Sequence, residues 1–275
     1  MTSINTELSI NPTQLLYNCA WEEILTCVGL VGRDKTDFLE DFYIALCSEI
    51  GARLCVEIGA HEAGGLQRLR KVLPEATLIA YEGNPYVYEK FASTVDKSIF
   101  YLNQIVSHDD KVKTLMIPRS MPSKDGQRRL SPENRTSSIR PRNSANVEYE
   151  EVAVASTSVD KIITDHPELT PATLWIDVEG AVGDVLFGAK EALKKDISVL
   201  YIELDKRQIW TGQWTDKDVD RYLNQYGFVP FARDMQTTWQ YNQVYIRQDF
   251  LGHENVIGFF RRSLAALLRG EPLSK

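Results

Sequence analysis

The groups in this sequence best placed to do chemistry are carboxylates at the ends of apolar runs. Leu174-Trp175-Ile176-Asp177-Val178-Glu179-Gly180 carries two acids where a strand-like run gives out. Val199-Leu200-Tyr201-Ile202-Glu203 ends on a third, with Asp205 just beyond. Side chains alternate along a strand, so Asp177 and Glu179 share a side if the strand continues. Like charges gathered at one place are costly unless a proton, a cation or hydrogen bonds offset them. Such a cluster can act as a general base, hold a divalent metal, or grip substrate hydroxyls. Asp177 is the first candidate for the base, with Glu203 or Glu179 assisting, and a metal, if there is one, would sit on Asp177 and Glu203. His61 and His108 are alternative bases. The plainer account is that these acids only cap the helix and loop that follow.

A second constellation lies upstream. Val56-Glu57-Ile58-Gly59-Ala60-His61-Glu62-Ala63-Gly64-Gly65 follows a strand and opens a helix. Glycine allows a sharp turn and close approach to a ligand, and the helix start offers unpaired N–H groups. Glu82 closes the next strand, in Tyr81-Glu82-Gly83-Asn84-Pro85, at the spacing where a carboxylate can accept both hydroxyls of a ribose. That geometry serves a nicotinamide dinucleotide and S-adenosyl-L-methionine alike. The sequence lacks the G-x-G-x-x-G of dinucleotide binders and has instead an acid two places before Gly59. A carboxylate there would repel pyrophosphate and suits the ammonium of a methionine moiety, so a methyl donor is the better reading. Methyl transfer to an alcohol needs alignment and removal of the alcohol's proton, work suited to Asp177.

Taken together, these motifs resemble the FkbM family of methyltransferases. Glu57, Gly59 and Ala60 stand at its D-x-G-A-N, and Glu82, Asn84 and Pro85 at its acid-x-N-P. Asn103 with Ser107 matches the stretch after its third strand, Ser137-Ser138 its serine pair, and Thr157 to Asp160, loosely, its T-x-D. Asp177-Val178-Glu179-Gly180-Ala181, with Val185-Leu186 and Gly188-Ala189, matches its D-V-E-G-A segment and the helix after it. The likeness covers roughly residues 53–204 and is most specific over 176–189. His61, Trp175 and Val182 depart from it, standing where the family has asparagine, lysine and glutamate. The resemblance implies a class I, Rossmann-like α/β fold and S-adenosyl-L-methionine as cofactor. It also implies donor contacts from Glu57, Gly59, Ala60, His61, Glu82, Gly83, Asn84, Ser107 and Asp177. Within that set Glu57, Gly59 and His61 would line the methionine end, Glu82 the ribose and Ser107 the adenine, while Asp177 and Glu179 face the reaction centre. The acceptor would be a hydroxyl on a sugar or natural-product-like small molecule.

Positioning these residues falls to a chain of 275 residues, 43% hydrophobic and 25% charged, which suits one soluble α/β domain with additions. From residue 53 short apolar runs alternate with amphipathic stretches, the pattern of a mostly parallel sheet with helices on both faces. Strands are expected near 54–58, 77–81, 99–106, 151–155, 173–176, 199–204, 228–232 and 240–247, the last antiparallel. Residues 112–117 would pair with the third strand, and helices would span 63–72, 85–95, 182–194 and 216–226. Residues 1–50 read as an N-terminal helical cap, 51–248 as the core and 249–275 as a helical tail. Residues 118–147, crowded with Arg119, Lys124, Arg128, Arg129, Arg135, Arg140 and Arg142, read as an irregular basic loop or lid.

A net charge of −7 argues against a nucleic-acid partner. No apolar run reaches the ~18 residues that cross a bilayer, no secretory signal is read at the start, and no C-x-x-C pair suggests zinc. Cys19, Cys27, Cys47 and Cys55 are expected to be reduced thiols in the cytoplasm, and homo-oligomerisation is left open. Two alternatives stand beside the methyltransferase: a nicotinamide-dependent oxidoreductase on the same fold, and a non-catalytic nucleotide-binding module.

Overall fold

The computed structural model describes residues 33–123, 126–234, 237–269 and 271. Helices expected between 12 and 32, with Cys19 and Cys27, lie outside the described residues. The elements in chain order are α1 (Arg33–Glu49), β1 (Leu54–Ile58), α2 (Gly64–Val72), β2 (Thr77–Tyr81), α3 (Pro85–Phe91), β3 (Ile99–Leu102), β4 (Ile105–Val106), β5 (Lys113–Ser123), β6 (Gly126–Arg129), β7 (Glu148–Val154) and β8 (Ser156–Thr157). There follow α4 (Val159–Asp165), β9 (Ala172–Ile176), α5 (Val182–Phe187), α6 (Ala192–Lys195), β10 (Ile197–Asp205), α7 (Asp216–Asn224), β11 (Phe228–Arg233), β12 (Gln240–Arg247), α8 (Gln248–Leu251) and α9 (Glu254–Arg269).

Seven strands form the main sheet in the order β3-β2-β1-β9-β10-β12-β11. Neighbours from β3 to β10 are parallel, and β12 runs antiparallel to β10 and β11. Both faces are covered, which explains why β1 and β9 are mainly apolar and buried throughout, Glu57 and Thr173 included. On one face α1, α2 and α9 pack Phe42, Tyr43, Leu66 and Phe259 against Trp175, Tyr201 and Val244. On the other, α4 to α7 pack Val159, Leu186 and Leu223 against Val56, Ile176 and Ile202. The chain reverses its direction across the sheet between β1 and β9, and in open α/β sheets ligands sit beyond the strand ends at such a point.

Several elements differ from the sequence reading. The run 99–106 is not one strand: it breaks at Asn103, whose side-chain amide donates to the carbonyls of Glu82 and Gly83. β5 does not pair with β3 but with β7, antiparallel, and with β6 in a separate three-stranded sheet. The basic segment 118–147 therefore begins inside a strand, with Pro118 tolerated where the register shifts. Its remainder is tied down by Met116–Ser138 backbone pairing and by Arg140 on Asp184. The single helix expected over 182–194 is two, α5 and α6, separated at Gly188, where a Cβ would lie 2.1 Å from the Ser107 carbonyl oxygen. The C-terminal helix runs from Glu254 to Arg269 and stacks Phe259 on Phe42 of α1, with ring centroids 4.9 Å apart.

Candidate active site

The turn after β1 is built from backbone strain held by side chains. Gly59, His61 and Ala63 all have positive φ, at 78°, 47° and 55°. For the two non-glycine residues that conformation persists only where the surroundings enforce it. His61 is clamped at both peptide groups: its N–H donates to Glu82 Oε2 at 2.8 Å, and its carbonyl accepts from the Tyr101 hydroxyl. Gly59 needs both its φ and its missing side chain, because a Cβ there would lie 1.9 Å from the carbonyl oxygen of Asp177. The tips of β1 and β9 are thus in direct backbone contact, closed further by the Asp177 N–H on the Ile58 carbonyl at 2.9 Å.

Glu57 is placed by strand alternation on the face of α2, with Cys55. Its carboxylate accepts from the N–H groups of Leu66 at 2.9 Å and Gly65 at 3.4 Å, so it caps that helix. Burial raises its pKa to about 8, against the two backbone hydrogen bonds. Glu82 ends β2 and accepts from Asn84 N–H at 2.7 Å as well as from His61. Burial raises its pKa too. Each of its oxygens has one backbone donor and keeps a lone pair for a ligand. Asn84 caps α3, accepting from the Tyr86 N–H, and donates to the Ser137 hydroxyl and the Pro132 carbonyl. Part of the basic segment is thereby held over the strand ends.

At the tip of β9 and β10, Asp177 and Glu203 are buried together and share a hydrogen bond. Desolvation raises both, and the neighbouring acids Asp177, Glu179 and Asp205 drive Glu203 well above the carboxylate range. Two carboxyls buried this close cannot both ionise cheaply, so the pair holds one proton between them. Glu179 is raised to about 7, chiefly by burial and then by Asp177, with Arg142 opposing. Asp205 accepts from Gln213 Nε2. Gly180, at φ 70°, lies flat on the indole of Trp210, where a Cβ would meet ring atoms at 2.4 Å.

A cleft of about 420 Å³ runs over these strand ends. It brings together Gly59, His61, Glu82, Gly83, Asn84, Asp177, Glu179 and Glu203. Glu57, Ala60 and Ser107 are not among its lining residues: Ala60 turns into the core, and Ser107 is fully buried behind Gly188. His108 faces Asp109 and Asp184 away from the cleft. Of the tryptophans, Trp210 is core, Trp214 packs on Phe187 and Tyr222, and Trp239 carries Arg207 on its face. Sequence reading passed over Glu40, Tyr201 and Asn242, which also line the cleft. Period-two alternation gave a signal for one of them, since Tyr201 shares a face of β10 with Glu203. Among the described residues no group of three or more His, Cys, Asp or Glu is arranged to hold a metal ion. Within the same residues no helix is long and apolar enough to cross a membrane.

A doubly covered sheet of this order, with one antiparallel strand inserted next to the last parallel position, is the class I methyltransferase fold. Residues 57–230 match the family model described as the Methyltransferase FkbM domain. The chain belongs to the FkbM methyltransferase family, whose cofactor is S-adenosyl-L-methionine and not a nicotinamide dinucleotide.

No curated protein matches the chain. Among solved structures it is similar to a methyltransferase FkbM from Methylobacillus flagellatus KT, at 14% identity and TM-score 0.42, covering 71% of this chain and 44% of that one. The magnesium protoporphyrin IX methyltransferase ChlM from Synechocystis PCC 6803, solved with bound SAM, is similar at 11% identity and TM-score 0.41, covering 86% and 96%. A SAM-dependent methyltransferase from Aquifex aeolicus is similar at 12% identity and TM-score 0.36, covering 82% and 88%. The chain spans less than half the length of the Methylobacillus protein.

Proposed function

We propose that this protein moves the methyl group of S-adenosyl-L-methionine to a hydroxyl oxygen of a small, sugar-like or natural-product-like molecule. The observation that carries this reading is the buried Asp177–Glu203 pair, with one shared hydrogen bond, opening into the same cleft as Glu82. The cleft volume falls in the range of small-molecule sites, roughly 300–1,000 Å³. The residues present fit the donor: Glu82 retains acceptor capacity for two ribose hydroxyls, the Gly59–His61 turn can approach closely, and Tyr81 and Ile105 offer apolar walls for a base.

When bound, the donor supplies an electrophilic methyl on a sulfonium, open to one-step displacement. Everything else is the work of the chain. Asp177 accepts the proton of an incoming hydroxyl, which is otherwise a poor nucleophile. Glu203 donates to Asp177 and keeps it oriented, while burial of the pair holds water away from the proton's path. The clamp on His61 and the contact between Gly59 and the Asp177 carbonyl fix the two halves of the cleft relative to each other.

Incubation with methyl-labelled S-adenosyl-L-methionine and a panel of sugars, polyols and phenols tests the reading. S-adenosylhomocysteine should accumulate, with the label in an ether. Label found on nitrogen or carbon would reject the hydroxyl acceptor, and failure of the protein to bind the donor would reject the whole reading.

A further inference from the structure

The walls of the cleft are strongly one-signed. Glu40, Glu82, Asp177, Glu179 and Glu203 all line it, and among the described residues Arg135 is the one lysine or arginine that does. The guanidinium of Arg135 stands over the strained turn, with Nη2 3.5 Å from His61 Nδ1 and 3.4 Å from Glu62 Oε2. Its side chain is 69% exposed, so the contact with Glu62 is a loose surface pair that a better partner can replace. Its charge is nevertheless felt inside: it opposes the rise that burial gives Asp177 and adds to the fall that burial gives His61.

The methyl donor bears a single carboxylate, at the amino-acid end of the molecule. Among the described residues that line the cleft, Arg135 carries the one lysine or arginine charge that can attract an anion. We infer that Arg135 receives the carboxylate of the methionine moiety, fixing which end of the donor lies at the Gly59–His61 turn. This assignment rests on the donor reading above. The guanidinium fork can meet a carboxylate with two parallel N–H bonds, which an ammonium cannot. A seat for the amino-acid tail at the turn leaves Glu82, held by the N–H of His61, to the ribose.

The assignment is tested by measuring the affinities of S-adenosyl-L-methionine and of decarboxylated S-adenosylmethionine, which differ only in that group, for the wild type, R135Q and R135K by calorimetry. For R135Q the normal donor should weaken by about tenfold or more, the effect of a lost hydrogen bond between charged groups. The decarboxylated compound, a pure cation, should bind R135Q as well as the wild type or better, because a positive charge has been removed. R135K should fall between the two for the normal donor. Equal losses for both compounds, no loss for either, or a rise only in the acceptor's KM would each overturn the assignment. If the wild type binds the decarboxylated compound but not the normal donor, Arg135 is again excluded while the nucleoside half of the site stands. If it binds neither, the donor reading itself fails.

Discussion

Gly59→Ala is the substitution on which the proposed geometry depends most directly. The added Cβ would lie 1.9 Å from the Asp177 carbonyl oxygen, and real Cβ atoms essentially never come closer than 3.0 Å. The tip of β9 must therefore retreat by about 1.1 Å, or the turn must open by as much. A left-handed φ costs a non-glycine residue about 1–2 kcal/mol, and overpacking adds about 1–3 kcal/mol. A total near 3 kcal/mol corresponds to a fall of roughly 6–12 °C in Tm for a chain of this size. A misplacement of about 1 Å between reacting groups costs about a hundredfold in rate, so kcat should fall by that order. Gly51→Ala is the internal control: its φ is 65°, but nothing lies within 4 Å of the added Cβ. That variant should show only the backbone cost, about 1 kcal/mol, with unchanged turnover. Thermal melts and S-adenosylhomocysteine production, measured on both variants, check the argument. If Gly59→Ala melts with Gly51→Ala and turns over like the wild type, the contact between the two strand tips does not set the site.

Asp177→Asn should lower kcat by about 10²–10⁴-fold while donor affinity stays within about tenfold, since it removes a base and leaves the ribose grip alone; steady-state kinetics with calorimetry separate the two effects. Turnover requires ionised Asp177, so it should rise with pH through the raised pKa of that group; Glu203→Leu, which removes the donor that lowers it, should move this acid limb to higher pH, whereas Glu203→Gln should not. Glu82→Gln should weaken the donor by about hundredfold, because an amide nitrogen must face either the His61 or the Asn84 N–H and one ribose acceptor is lost. Glu57 binds its proton more tightly folded than unfolded, so its contribution to stability is full below about pH 4.5 and lost as pH rises through about 8. Denaturant melts should show Glu57→Gln flattening the decline across that window.

Much of this site was legible because strand chemistry is periodic. Acids at 177 and 203 end apolar runs, and parallel strands buried on both faces keep most of their charged residues near the tips. The direction of a tip residue was harder to read. Glu57 was expected among the donor contacts, but the same alternation that makes it buried turns it under α2, whose first N–H groups consume its carboxylate. Ser107 was expected at the adenine, yet the chain at Gly188 crosses over it. In both cases the deciding neighbour is distant in sequence or depends on where a helix starts, which spacing does not encode. The segment 118–147 reads as irregular because β5 takes its main partner, β7, from beyond the segment, and β6, its hairpin partner, has no buried face to impose a pattern. From sequence its arginines mark an irregular basic loop or lid. Arg140 instead bonds Asp184, Arg142 stacks on Trp210 at 4.4 Å, and Arg135 leans over the cleft.

The distribution of ties across the cleft says which parts of the chemistry the fold can hold still. In the proposed arrangement the nucleoside end hangs on β2 through Glu82, the turn on β1 through Gly59, and the base on β9 and β10 through Asp177 and Glu203. These four strands are adjacent and parallel, with continuous register from Ile58↔Tyr81 through Ile58↔Ile176 to Ile202↔Ile176. Separating the backbones that carry Glu82 and Asp177 therefore requires breaking main-sheet hydrogen bonds. The α1 wall of the cleft is held differently. It is bounded by Thr36 and Glu40 on α1 and by Asn242 on β12, with Thr36 and Asn242 joined through Asp234. Side chains on this wall can therefore differ without disturbing the backbone at the strand tips. Substitutions at Thr36 or Glu40 should then alter the acceptor's KM and leave donor affinity where it was, and a matched loss of donor affinity would mean that the two halves are not independently built.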